Sequence, residues 1–245
     1  AFPNQASLVQ AKLKAVNAMC FDVSAACSGF ITALDIAASM LKAGSYKYAL
    51  VIGSEKMSEI VNWKDRSVCV LFGDGAGAVV LKAVDNKTED VTGALVGQER
   101  GIIDSNIYND GTGAAVLTGG RRFSDSCSTD IFIHMDGQEV FKFAVKSVPT
   151  AIETLLHNNN MDINDVDKFI LHQANVRIIE SVAKRLKADK DKFPVNLNEY
   201  GNTSSASIPI LLDELNRNGS LKQGEKLVLA GFGAGLSWGS ILLVW

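Results

Sequence analysis

Cysteine is scarce and unpaired in this chain: four residues in 245, at 20, 27, 69 and 127, with no CxxC among them. Only three histidines accompany them, none at metal-ligand spacing, so neither a zinc site, nor any other metal, nor a disulfide framework is expected. Unpaired thiols fit a reducing compartment, and a cytoplasmic location is the expectation. Positive charge is also lacking. Twenty-four Lys and Arg against 27 Asp and Glu leave a formal net charge of -3, which gives no overall basic field of the kind that holds nucleic acid. Small molecules or proteins are the expected partners. There is no initiator Met and no charged segment followed by an apolar one, so no secretory signal is expected, and the opening AFPNQASLVQAKLKAVNA reads like the middle of a protein. One run lacks charge altogether, from Leu227 to Trp245, and it meets the length rule for a membrane span. Gly231, Gly233, Gly235 and Gly239 would weaken such a helix, and LVLAG and SILLVW read instead as two buried strands about a glycine-rich turn. No membrane span is expected.

What is present is an ordinary globular composition, 47% hydrophobic and 21% charged, with alternating elements. The patterning predicts strands at Met19 to Val23, Tyr48 to Gly53, Cys69 to Phe72, Ala76 to Val84, Lys168 to Leu171, Leu227 to Ala230 and Ser240 to Trp245. It predicts helices from Gly29 to Ala43, Gln138 to about His157, Val176 to Lys187 and Ser207 to Asn218, with Gly44 and Gly219 as stops. Pro149 should bend the second helix or mark a boundary. The first helix is apolar nearly all round, as a helix buried between layers is. The class is α/β.

An internal repeat appears when Asp22 to Gly53 is laid without gaps on Tyr200 to Gly231. Leu34-Asp35 falls on Leu212-Asp213, the small-residue turn SAACSG on NTSSAS, and ALVIG on LVLAG. Each copy is followed by a glycine-rich turn into a strand. The division expected is 1–90 as an N-terminal half, 91–135 as an insertion or loop region without a motif, and 136–245 as a C-terminal half. Packed about a pseudo-twofold axis, the halves would bring Cys27 and the Asn202 turn to one central site. The GDGAG run from Gly73 leads into a strand, so no helix N-terminus is there to hold a pyrophosphate, and a nucleotide site is not expected.

Three residues attract a functional reading, each against a bland one. Cys27, in FDVSAACSGF, could simply fill space as a small hydrophobe. His172, at the end of the predicted strand FILH, could be a satisfied core imidazole, and Asn202, beside Gly201, a turn residue. Together, with AFPNQAS, YALVIGSE, LFGDGAGAVVL, FKFAVKSV, HQANVRII, GNTSSASIP and GFGAGLSWGSILL, they give a chain that resembles the type III β-ketoacyl-acyl-carrier-protein synthases, the initiating condensing enzymes of dissociated fatty acid synthesis. The resemblance implies the duplicated, five-layered thiolase-like fold. It implies Cys27 as the acylated nucleophile, with His172 and Asn202 completing a catalytic triad, and no cofactor, acyl-coenzyme A being a substrate. It places backbone oxyanion donors at Cys27 and Ala234 and acyl-pocket contacts at Phe232 and Phe2, the latter reaching into the partner of a homodimer. It puts Lys142 and Arg177 on the docking surface for malonyl-acyl carrier protein. The family's chain begins with a further βα portion that carries contacts to the coenzyme A adenine, and the expectation is that this portion is absent here, leaving a sheet edge open.

The chemistry of these residue types fits. The N-terminus of the helix after Cys27 should favour a thiolate, and the small neighbours Ala25, Ala26, Ser28 and Gly29 leave room for a thioester. Decarboxylating a malonyl thioester leaves an enolate oxygen, which donors from His172 and Asn202 could hold. In the helix after His172, Arg177, Lys184 and Lys187 form one stripe with Arg185 adjacent, opposite Ile179, Val182, Ala183 and Leu186; its basic end should lie near the site mouth and face an acidic carrier protein, though Glu180 weakens it. Acyl transfer without decarboxylation on the same scaffold remains the rival reading, and a catalytically silent partner subunit a more distant one. A thiolase would be expected to carry a second cysteine in the GFGAG region, and none is there.

Overall fold

The computed structural model describes residues 2–84, 100–119 and 131–245. Two helices open it, α1 (Gln5–Leu13) and α2 (Gly29–Lys42). Strands β1 (Tyr48–Glu55) and β2 (Gly75–Lys82) then pair antiparallel. After β3 (Gly101–Asn109) and the short pair β4 (Leu117–Thr118) and β5 (His134–Met135) come α3 (Gly137–Asn158), β6 (Lys168–Leu171), α4 (Val176–Leu186), the single turn α5 (Leu197–Tyr200) and α6 (Ser207–Arg217). The uncharged terminal run is the antiparallel hairpin β7 (Lys226–Gly233) and β8 (Ser237–Val244).

A four-stranded sheet, β3-β8-β7-β6, is the centre, with β6 parallel to β7 and the other pairs antiparallel. Side chains alternate across a strand, and here both faces are buried. Leu227, Leu229, Ile241 and Leu243 face α2 and α6, together with Phe30, Ile31, Leu34, Ile208 and Leu211. Val228, Ala230 and Leu242 face α3 and α4, together with Val148, Ile152, Leu155, Ile179 and Val182. Val51, Val79 and Leu81 of the β1-β2 sheet join the first cluster from the far side of α2 and α6. The order is therefore helices, sheet, helices, sheet. On the outer face of the β1-β2 pair Tyr48, Leu50 and Val80 are exposed, and among the described residues no helix covers them.

The repeat holds in its first strand and at the start of its helix. At an offset of 178, β1 falls on β7 at both ends, and Gly29, where α2 begins, falls on Ser207, where α6 begins. Four expectations need correction. Met19–Val23 is not a strand: it has no ladder partner among the described residues, and its Asp22 carboxylate instead accepts from the N–H groups of Gln5 and Ala6 at the start of α1. Cys69–Phe72 is a set of turns that meets the second half through a bridge from Phe72 to Asn202 and a hydrogen bond from Asn202 N–H to Leu71 O. Pro149 marks no boundary, since α3 continues through it. The stretch 91–135, read as an insertion or loop, holds β3, which pairs with β8 along its length; its residues 91–99 and 120–130, Cys127 among them, lie outside the described residues.

Candidate active site

Where the two halves meet there is a cavity of about 210 Å³ lined by Cys27, His172, Asn202, Phe232, Gly233 and a ring of apolar side chains from α3, α4 and the 67–72 turns. Cys27 sits in the 3-10 turn Ala26–Ser28 that leads into α2. Ala26 holds a left-handed φ of 45°, a costly conformation that surrounding contacts must enforce. Ser28 supplies one of them, its hydroxyl donating to Ala25 O at 2.7 Å and meeting the Ser237 hydroxyl across the halves. Gly233 supplies another: a Cβ there would stand 2.8 Å from Cys27 N, so glycine alone lets β7 approach the nucleophile turn this closely.

His172 directly follows β6, its N–H extending the ladder to Ala230 O at 2.8 Å. The ring is 1% exposed and its edge meets Phe232, with centroids 5.2 Å apart. The Nδ1 atom lies 2.7 Å from the Ser207 hydroxyl, whose oxygen also accepts the Gln173 N–H at 3.2 Å. A Ser207 O–H donated to Nδ1 leaves the proton of the neutral ring on Nε2, where it can be offered to the cavity. Burial drives the imidazole pKa down from 6.5 to about 3, so the ring is neutral at physiological pH.

Asn202 is held by the other half of the molecule. Its N–H donates to Leu71 O at 2.8 Å and its carbonyl accepts from Gly73 N at 3.0 Å, which is the work the GDGAG turn does. Its side-chain Oδ1 accepts from Ser204 N at 2.9 Å. With the oxygen committed to the backbone, the amide NH₂ is the end left for the cavity.

The expected thiolate is not what the resting site favours. Burial pushes the Cys27 thiol up from 9.0 to about 11; the Ser204 hydroxyl and the cysteine's own N–H oppose this, and the charge of Glu55 adds to it. Desolvation outweighs the helix N-terminus, and the group is a thiol.

The remaining expected residues are dispersed. Phe232 lines the cavity. Ala234 lies in the turn between β7 and β8, where its carbonyl accepts from Ser237 Oγ at 3.1 Å. Phe2 is 97% exposed and does not line the cavity of its own chain. Arg177 and Lys184 are exposed on α4, with Arg177 next to the cavity residue Ile178. Lys142 is exposed and bonded to Glu139 at 2.7 Å. Arg185 is occupied: its guanidinium donates to Val145 O at 3.2 Å. Sequence reasoning missed Ser207, whose signal, a hydroxyl at the start of α6 five residues past Asn202, means nothing until β6 lies beside that helix.

Two models of one family match the chain: 3-oxoacyl-(acyl-carrier-protein) synthase III over residues 21–99 and the C-terminal model of the same synthase over residues 156–245. A β-ketoacyl-(acyl-carrier-protein) synthase III of Clostridium acetobutylicum is 46% identical over 99% of this chain and 73% of its own length. The crystal structure of the 3-oxoacyl-(acyl-carrier-protein) synthase III of Aquifex aeolicus superposes with a TM-score of 0.88 at 45% identity, covering 100% of this chain and 73% of that one. That of Pseudomonas aeruginosa gives 0.89 at 37% identity over the same shares.

Proposed function

This chain belongs to the 3-oxoacyl-(acyl-carrier-protein) synthase III family, with its thiolase-like fold, and from that premise we propose how its residues divide the condensing reaction. It is a condensing enzyme that initiates fatty acid synthesis. In the proposed sequence Cys27 attacks the thioester carbon of an acyl-coenzyme A primer, the carbon–sulfur bond to coenzyme A breaks, and the thiol proton leaves with the coenzyme A sulfur. The amides of Cys27 and Ala234 hold the oxyanion of that step. Malonyl-acyl carrier protein then loses carbon dioxide, and the electron pair of the broken bond becomes an enolate whose oxygen takes hydrogen bonds from His172 Nε2–H and Asn202 Nδ2–H. The enolate carbon attacks the acyl group, the carbon–sulfur bond to Cys27 breaks as β-ketoacyl-acyl carrier protein forms, and the released Cys27 sulfur takes a proton from solvent to restore the resting thiol.

The observation that carries the assignment is the pair of donors, a neutral imidazole with Nδ1 engaged by Ser207 and an amide with Oδ1 engaged by Ser204, on the cavity that also holds Cys27. Neither group can act as a strong base there, and both can stabilise developing negative charge. The reaction so written needs no cofactor. Phe2, apolar and exposed, is proposed to reach the acyl pocket of a second subunit in a homodimer, and a cytoplasmic location goes with the reduced Cys27. Among the described residues no helix is long and apolar enough to cross a membrane.

Carbon dioxide release from malonyl-carrier protein and acylation by radiolabelled acyl-coenzyme A test the division. Cys27→Ala loses acylation and keeps decarboxylation, whereas His172→Ala slows decarboxylation by about 10²–10³-fold, the usual cost of one oxyanion donor. Parental decarboxylation in His172→Ala removes the enolate role. A parent enzyme that acylates Cys27 but releases no carbon dioxide would be an acyltransferase.

A further inference from the structure

The 178-residue offset that matches the halves sets Ser205 on Cys27 and Glu55 on Gly233. The packing is reciprocal. The end of β7 lies on the Cys27 turn, and the end of β1 lies on the Ser205 turn, where a Cβ at Gly53 would meet Ser205 O at 2.7 Å. Both turns use a left-handed residue at the same place, Ala26 at 45° and Ser204 at 52°. At the Cys27 turn β7 ends in glycine, and the cysteine opens on the cavity. At the Ser205 turn β1 ends in a carboxylate, and Glu55 Oε1 accepts from both Ser205 N, at 3.3 Å, and the Ser205 hydroxyl. One copy of the turn is left open for a substrate oxygen, and the other is filled by an oxygen of the protein.

We infer that Glu55 is a positioning residue for condensation: its carboxylate occupies the second copy of the oxyanion site and, through Ser205, fixes the turn that aims Asn202 and Ser204 at Cys27. The inference rests on the reading of Asn202 as an enolate donor. The links are short. Ser205 follows Ser204, whose N–H holds Asn202 Oδ1 and whose hydroxyl bonds the thiol. Glu55 is itself half-buried, at the junction of β1 with the other half. Burial is the main cause of the raised Cys27 pKa and the Glu55 charge adds to it, while His172, on the same cavity, is neutral.

The test compares Glu55→Ala and Glu55→Gln with the parent in condensation, and in the pH dependence of Cys27 alkylation by iodoacetamide, read by mass spectrometry. Glu55→Ala should lose about 10²-fold in kcat, as displaced catalytic groups do, with KM for acyl-coenzyme A within about twofold of the parent. Glu55→Gln still accepts from Ser205 and should recover to within about tenfold of the parent rate. Alkylation should move to lower pH in both variants, because the charge is gone. Parental turnover by Glu55→Ala, a Glu55→Gln no better than Glu55→Ala, or an unchanged alkylation profile would overturn the inference. If Glu55→Ala does not fold, Ser205→Ala takes its place, with a kcat loss expected and a parental rate decisive against. Alkylation needs no acyl substrate, so a parent without condensing activity would sink the condensation reading while the alkylation profiles still show whether the Glu55 charge acts on Cys27.

Discussion

One hydroxyl decides which nitrogen of His172 carries its proton. Without Ser207 the buried Nδ1 loses this partner, and the ring is free to take the tautomer that presents a lone pair to the enolate. Ser207→Ala is therefore expected to slow carbon dioxide release by about 10²-fold or more, in line with loss of an oxyanion donor, and to cost about 1–3 kcal/mol for the orphaned buried nitrogen. Acylation of Cys27 should change little. The pH dependence follows from the same burial. With the folded pKa of His172 lowered to about 3 from 6.5, its neutral form contributes stability that is fully present above pH 6.5 and lost as pH falls toward 3. Decarboxylation should show no acid limb near pH 6.5; a limb there would mean that His172 titrates in the working enzyme.

Helix α3 shows how an element continues through a residue that breaks its hydrogen-bond ladder. Pro149 has no N–H to give the carbonyl four residues back, which is that of Val145, yet the helix runs on for 22 residues. Arg185 of α4 donates to that carbonyl. The orphan is satisfied across the α3–α4 contact, so Arg185, expected beside the docking stripe, also holds the two helices together. Arg185→Ala should cost about 1–2 kcal/mol in the parent, and less in a Pro149→Ala background, where an amide N–H returns to Val145; equal losses in both backgrounds by urea unfolding would refute the coupling. The helices α2 and α4 and the β7-β8 hairpin were legible because their burial follows their own periodicity. Strand β3 was not. Its polar Asp104 and Asn106 read as loop residues, and they are tolerated in a strand because Asn159, Ala151 and Ser240 satisfy them from α3 and β8. Met19–Val23 failed in the opposite direction, since strand character needs a neighbour that sequence alone does not supply.

At the scale of the whole molecule the duplication explains why the site is central. Each half lends the other a turn: Leu71 and Gly73 hold Asn202, Ser237 holds Ser28, and Glu55 holds Ser205. Cys27, His172 and Asn202 could be picked from motifs, whereas Ser207 and Glu55 could not, because each acts on a residue 35 or 150 positions away. The same arrangement puts the N-terminus of α4 at the cavity mouth, since Ala174, Asn175 and Ile178 line it. Exposed Arg177 starts that helix and exposed Lys184 continues its solvent face, while Glu180, which opposes them, lies 3.9 Å from Lys190. Rim charges of this kind raise the rate of encounter with an acidic partner and are screened by salt. Reversing Arg177 and Lys184 to Glu should slow malonyl transfer from carrier protein by about tenfold or more at low ionic strength, and by less as salt is added. Acylation of Cys27 by a small acyl-coenzyme A, which does not need that surface, should stay within about twofold of the parent. Measured side by side in stopped-flow assays, an equal loss in both half-reactions would place the damage in the shared cavity and remove α4 from the docking surface.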